Sequence, residues 1–145
     1  MTTTLIFDPA KIAPVVQEWI GKPSPFGPCT AIGLEKDGEV VAGAVYEGYT
    51  GHNIFVHLAG KPGRRWMTRE FLRAGFAYPF IQLGCDRLTG TVDASNLDAL
   101  NLDLHFGFTV ECKLAGAARD GSDILVLVMW RDQCRFLGDR YVRCS

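Results

Sequence analysis

The sequence has no long apolar run, no paired-cysteine spacing and almost no net charge, and each absence removes a class of protein. The longest apolar stretch, "ILVLVMW" at 124–130, is far shorter than the roughly 20 residues that carry a helix across a bilayer. The opening "MTTTLIFDPAK" lacks the charged start and apolar stretch of a signal peptide, so a cytoplasmic protein with no membrane partner is expected. Five cysteines (Cys29, Cys85, Cys112, Cys134, Cys144) are an odd number without a C-x-x-C pair, and the three histidines are not spaced as ligands beside them. Neither a disulfide framework nor a zinc site is supported, which leaves most of these thiols as small buried hydrophobes. A net charge of −1 argues against a surface built for nucleic acid or anionic lipid.

What is present fits one folded domain over residues 1–145, with 48% hydrophobic and 21% charged residues excluding a disordered chain. Ile12, Val15, Val16, Trp19 and Ile20 recur at helical spacing after Asp8-Pro9, a cap followed by a first-turn proline, with Pro14 placed to delay the start. "GKPSPFGP" at 21–28 is a loop. Strands follow in "TAIGLEK", "EVVAGAVYEGY" and "NIFVHLA", the first two joined by Asp37-Gly38, the pair a tight type I′ hairpin needs. Leu72, Phe76, Phe80 and Leu83 form one stripe of a long amphipathic helix that Pro79 must kink, with Gly75 at the crowded carbonyl. A strand "RLTGTVD", a helix opened by Ser95 or Asn96 and stopped at Gly107, and two strands around Asp120-Gly121 complete the order. The fold class is α+β, a mostly antiparallel sheet flanked by helices.

The stretch "HLAGKPGRRWMTREF" at 57–71 concentrates positive charge where the glycines are. Segment 61–73 holds Lys61, Arg64, Arg65, Arg69 and Arg73 against Glu70, a balance of +4 in a chain of −1, so the remainder carries −5. A strand that passes through glycines into a helix leaves free N–H groups at the positive end of the helix dipole, where a phosphate or pyrophosphate is the natural guest. Gly60 and Gly63 would let the backbone approach and the arginines would add charge-assisted hydrogen bonds. The ATP-binding P-loop and the dinucleotide fingerprint are both absent. A solvated basic turn anchored in the core by Trp66 explains the same residues.

"NLDALNLDLHFGF" at 96–108 resembles the N-x-x-A-x-x-L segment, closing in x-G-F, of the Gcn5-related N-acetyltransferases (GNAT), with Asn96, Ala99, Leu102, Gly107 and Phe108 in register. The element order is similar to that family over about 5–131, leaving a basic tail at 132–145, and "RRWMTREFLRAGFAYPFIQLGCDRLTGTV" is similar to a phage-type subgroup. The resemblance implies acetyl-CoA as co-substrate and a primary amine, on a small molecule or a protein, as acceptor. It also implies a sheet that splays between 54–59 and "RLTGTVD", with Val56, Leu58 and Asn96 along the pantetheine arm. Turn 60–69 would then hold the pyrophosphate, through Gly60, Lys61, Gly63, Arg64, Arg65, Trp66, Thr68 and Arg69. A homodimer paired through end strands is implied on the same ground.

Two departures bear on this. The family's phosphate motif, Arg/Gln-x-x-Gly-x-Gly/Ala, survives as Gly63 alone in one register and as Arg64, with Met67 and Arg69 in place of small residues, in the other. Where many members carry a tyrosine that protonates the departing thiolate, this chain has Asp103, which cannot donate when ionised. His105 is a candidate acid by type, but lies about 200° around the helix from Asp103. His57, Glu47 and His52 are candidates for the base that deprotonates the amine. His57 shares a strand face with Phe55 and Ala59, opposite Val56 and Leu58. For each, a surface or strand-pairing role is the competing reading. A catalytically inactive GNAT-like binding or assembly module is the alternative for the whole chain, and single-strand nucleic-acid binding is a third, weaker reading.

Overall fold

The computed structural model describes residues 2–138, so Cys144 and the end of the basic tail lie outside the described residues. Strands β1 (Thr3–Ile6), β2 (Thr30–Lys36), β3 (Glu39–Glu47), β4 (Asn53–Gly60), β5 (Arg87–Asp93), β6 (Thr109–Leu114) and β7 (Ile124–Trp130) form one sheet in the order β1-β2-β3-β4-β5-β7-β6. Every neighbouring pair is antiparallel except β4 and β5. The α+β, mostly antiparallel expectation holds. The sequence reading lacked β1, whose four residues show no alternation to mark them.

Helix α1 (Pro9–Ile20) begins at its Asp8 cap, whose carboxylate accepts from the Ala10 N–H at 3.0 Å. Pro14 therefore sits inside the helix rather than delaying it. Its ring is exposed, so the carbonyl that loses its partner faces water. Ile12 and Val16 of α1 press onto β3 so closely that a Cβ on Gly43 would meet Val16 Cγ2 at 2.6 Å. Together with Ala13, Ala31 and Val45 they form the smaller of two cores, on one face of the sheet.

The larger core covers the other face, where α2 (Arg69–Ala77) and α3 (Leu97–Phe106) meet through Phe76 and Phe106, ring centroids 6.1 Å apart. The expected kink at Pro79 is a π-helical turn, Tyr78–Gln82, closed by Leu83 N–H donating to Tyr78 O at 2.9 Å. Pro79 has no N–H for the Gly75 carbonyl, and the buried Tyr46 hydroxyl donates to that oxygen instead. Asp37 and Gly38 both have positive φ, 52° and 79°, as the type I′ hairpin requires. Helix α3 takes Asn96 rather than Ser95 as its cap and stops at Gly107. Of the thiols expected to be buried, Cys85 is; Cys29 and Cys134 are partly covered and Cys112 is exposed, because it lies on the fully exposed edge strand β6.

Candidate active site

The parallel ladder between β4 and β5 lasts three rungs, Asn53–Arg87, Ile54–Leu88 and Phe55–Thr89. Beyond them β4 stays paired to β3 as far as Gly60, and β5 to β7 as far as Asp93, so the two strands diverge as a fork. The closed end is pinned by side chains as well, since the buried Thr89 hydroxyl donates to Asn53 Oδ1 at 2.5 Å. Past Phe55 and Thr89, the backbone groups that face the gap have no strand partner, and such groups call for water or a ligand.

A cavity of about 760 Å³ fills the fork, within the size range of small-molecule sites. Its walls bring together Val56, His57, Leu58 and Gly60 of β4, Gly90–Asp93 of β5, and Asn96, Ala99 and Asp103 of α3. The loop after α1, Gly21–Pro23, and Arg119 of the β6–β7 connection close it on other sides. Val56 and Leu58 pack toward the larger core and Ala59 toward α1, so alternation turns His57 toward α1 and the 21–29 loop.

His57 Nε2 lies 2.7 Å from Glu47 Oε2, across the β3–β4 pair, and its ring is 5.1 Å from that of Phe26. Burial pushes the imidazole below the ordinary histidine range, against the pull of Glu47, with Lys22 adding a smaller push in the same direction. A neutral ring that donates Nε2–H to the carboxylate keeps Nδ1 as a free acceptor. Two of the candidate bases thus become one unit. His52 pairs with Asp86 at 2.7 Å on the surface, outside the cavity wall. His105 is exposed in the last turn of α3 and is also absent from that wall, as its helical rotation away from Asp103 implied.

The basic turn closes one end of the cavity through Gly60, Pro62 and Trp66. Gly60 has a packing reason to be glycine: a Cβ there would lie 2.1 Å from Trp66 Nε1. Trp66 is buried and edge-on to Phe71, as the core-anchor reading expected. Lys61 and Arg64 both bind the Glu39 carboxylate, at 2.9 and 3.1 Å, which neutralises part of the charge counted in the sequence. Arg65 and Arg69 are exposed and make no ion pair among the described residues. Gly63 adopts φ 77°, and Thr68 caps α2 by accepting from the Phe71 N–H at 3.1 Å. Asn96 likewise spends its side-chain oxygen on the Ala99 N–H at 3.2 Å, leaving its amide N–H groups to donate.

Asp103 departs from its sequence-based description. Burial alone pushes its carboxyl up to about 7, so near neutral pH a large fraction carries the proton that an ordinary aspartate lacks. No pattern in the chain signals this, because the desolvation comes from walls contributed by distant segments. Trp19, Lys22 and Phe26 around His57 were missed for the same reason.

No family model matches the sequence, and no curated protein matches it. Solved structures do match. Mutant forms of the spermidine/spermine N-acetyltransferase SpeG from Vibrio cholerae superpose with a TM-score of 0.72 at 12% identity, over 99% of each chain. The protein yncA from Salmonella typhimurium, solved with its cofactor acetyl-CoA, gives 0.69 at 14% identity over 93% of this chain and 97% of its own. The N-acetyltransferase PseH from Campylobacter jejuni, solved with acetyl coenzyme A, gives 0.57 at 17% identity over 73% and 70%. The chain therefore has the GNAT fold.

Proposed function

We propose that this chain, as a single domain over 1–145, is an N-acetyltransferase that moves the acetyl group of acetyl-CoA to a primary amine. The observation that carries the reading is the β4–β5 fork, with unpaired backbone edges around a cavity whose wall holds His57, itself paired to Glu47 behind it. Acetyl-CoA, as co-substrate, would supply an activated acyl carbon. Val56 and Leu58 would meet its extended arm with backbone groups and Asn96 with its amide N–H. Gly60, Lys61, Gly63, Arg64, Arg65, Trp66, Thr68 and Arg69 would form its phosphate end, with Arg65 and Arg69 the cations that need give up no partner. His57 Nδ1 would take the proton of the attacking amine while Glu47 holds the ring. The reading keeps a cytoplasmic location, and the phage-type subgroup rests on the stretch at 64–92. It is also consistent with a described chain in which no helix is long and apolar enough to cross a membrane.

Calorimetric titration with acetyl-CoA tests the reading, with Arg64→Ala/Arg65→Ala alongside. Saturable binding that weakens at least about tenfold in the double variant, with unchanged melting, is the expected result. Equal affinity in both would remove the phosphate assignment. One observation favours the second reading, a non-catalytic GNAT-like module: Glu39 already holds two of the cations assigned to phosphate. A folded wild-type chain that binds no acetyl-CoA would decide for it.

A further inference from the structure

We propose that Lys22 and Phe26 seat the ring of His57, Lys22 by pinning the loop that carries Phe26 and Phe26 by packing against the imidazole. The inference rests on the acetyltransferase reading and adds two positioning residues behind its base. Helix α1 ends at Gly21, whose φ of 71° turns the chain, and Lys22 N–H donates back to Gln17 O at 3.0 Å while the Gln17 amide donates to Lys22 O at 3.3 Å. The backbone of Lys22 is thereby fixed to the helix end. From that anchor its ammonium donates to Ser24 O at 3.0 Å, Ser24 Oγ at 3.1 Å and Pro25 O at 3.4 Å. An ammonium has three donors, and three acceptors of one short loop meet them. The loop has few donors of its own, because Pro23, Pro25 and Pro28 carry no N–H.

The same ammonium stands 5.2 Å from the centroid of the Phe26 ring, which in turn lies 5.1 Å from the His57 ring. Phe26 also packs with Trp19, Cys29 and Ala59 against the smaller core, so its position is set from both sides. The imidazole is thus held at Nε2 by Glu47 and flanked on the loop side by a phenyl ring. The charged and titratable groups that face it come from several elements. Glu47 belongs to β3, Lys22 and Cys29 to the loop, and α1 offers only the uncharged Trp19 and Ile20. Across the cavity stand Asp93 of β5, Asp98 and Asp103 of α3 and Arg119 of the β6–β7 connection. Burial is the largest influence on the ring and disfavours its charged form, Glu47 opposes it, and Lys22 adds to it. Cover and positive charge therefore reach His57 from one loop, and both keep the base unprotonated.

The test uses the full chain with ¹⁵N-labelled histidine, and the His57 signals are identified by their loss in His57→Gln. In the free wild type the His57 ring protons are expected to be displaced by the ring current of Phe26, a displacement lost in Phe26→Leu. The same displacement should be lost in Lys22→Met, which keeps the apolar stem and removes the donors. The titration midpoint of His57 should rise in both variants. The rise caused by Lys22→Met should be smaller in the Phe26→Leu background, because the two residues act partly through one seat. A base works unprotonated, so the rate falls as pH drops through that midpoint. With acetyl-CoA and spermidine as the probe amine, the acid limb of kcat/KM should accordingly move to higher pH in each variant. Lys22→Gln replaces Lys22→Met if the latter does not keep the wild-type melting temperature. A lysine variant with wild-type ring-proton shifts and midpoint overturns the proposal, and so do midpoint shifts that simply add in the double variant. Absence of acetyl-CoA binding by calorimetry removes the acetyltransferase reading, and the ring measurements on the free chain still decide the seating.

Discussion

Replacing Gly60 by alanine adds one methyl group at the junction of β4 and the basic turn, and the geometry sets its cost. The new Cβ would stand 2.1, 2.2 and 2.3 Å from Trp66 Nε1, Cε2 and Cδ1, whereas such contacts settle near roughly 3.5–4 Å. One partner must move by more than an ångström. The strand is held by its pairing of Gly60 with Ala42 and by Lys61 N–H donating to Val41 O at 2.8 Å, so the indole yields. It then leaves its buried seat beside Phe71. Overpacking strain of this kind costs about 1–3 kcal/mol, and at the upper end the melting temperature falls by roughly 10 °C. Urea unfolding of Gly60→Ala, Trp66→Ala and the double variant gives a complete cycle. Trp66→Ala alone should cost about 3–5 kcal/mol, and in its background the Gly60→Ala penalty should drop to roughly 0.5 kcal/mol or less. Equal Gly60→Ala penalties in both backgrounds would refute the reasoning, and would return Gly60 to a purely ligand-facing role.

Tyr46→Phe should destabilise the chain by about 1–3 kcal/mol, because the Gly75 carbonyl loses its donor at the one turn where Pro79 cannot supply one; a denaturation midpoint equal to wild type would contradict this. Glu39→Gln releases Lys61 and Arg64 from their shared carboxylate. It should tighten acetyl-CoA binding by about two- to fivefold at low salt, with little change in stability, since exposed pairs of this kind are weak. Calorimetry at two ionic strengths reads the difference, and weaker binding in the variant would count against those cations meeting phosphate.

The fold was legible wherever local chemistry dictated it. Asp37-Gly38 has few backbone options, Asp8-Pro9 is a cap and a first-turn residue in one dipeptide, and strand "RLTGTVD" matches β5 residue for residue. Pro14 misled because a proline on the wet side of a helix costs less than one facing a core. The long helix through Leu83 was half correct, since hydrophobic spacing cannot distinguish an α turn from the π turn that absorbs Pro79. Within the candidate site, residue identity was legible and state was not. His57 and Glu47 were both singled out, but their pairing depends on the register of β3 against β4. Asp103 was read as an ordinary ionised aspartate because solvation belongs to the assembled walls and not to the residue.

The fork also divides the protein mechanically. On one side lies a four-strand slab, β1 to β4, buttressed by α1; on the other a three-strand slab, β5 to β7. Three rungs and the Asn53–Thr89 side-chain bond are the sheet's own stitching between them. An extended molecule lodged in the gap would engage edges from both slabs and act as a removable strand, so the seam would be closed by chemistry from outside the chain. Occupancy would then stiffen the two slabs relative to each other, and the slowest amide exchange in β4 and β5 would track ligand concentration more closely than that in β2 or β7.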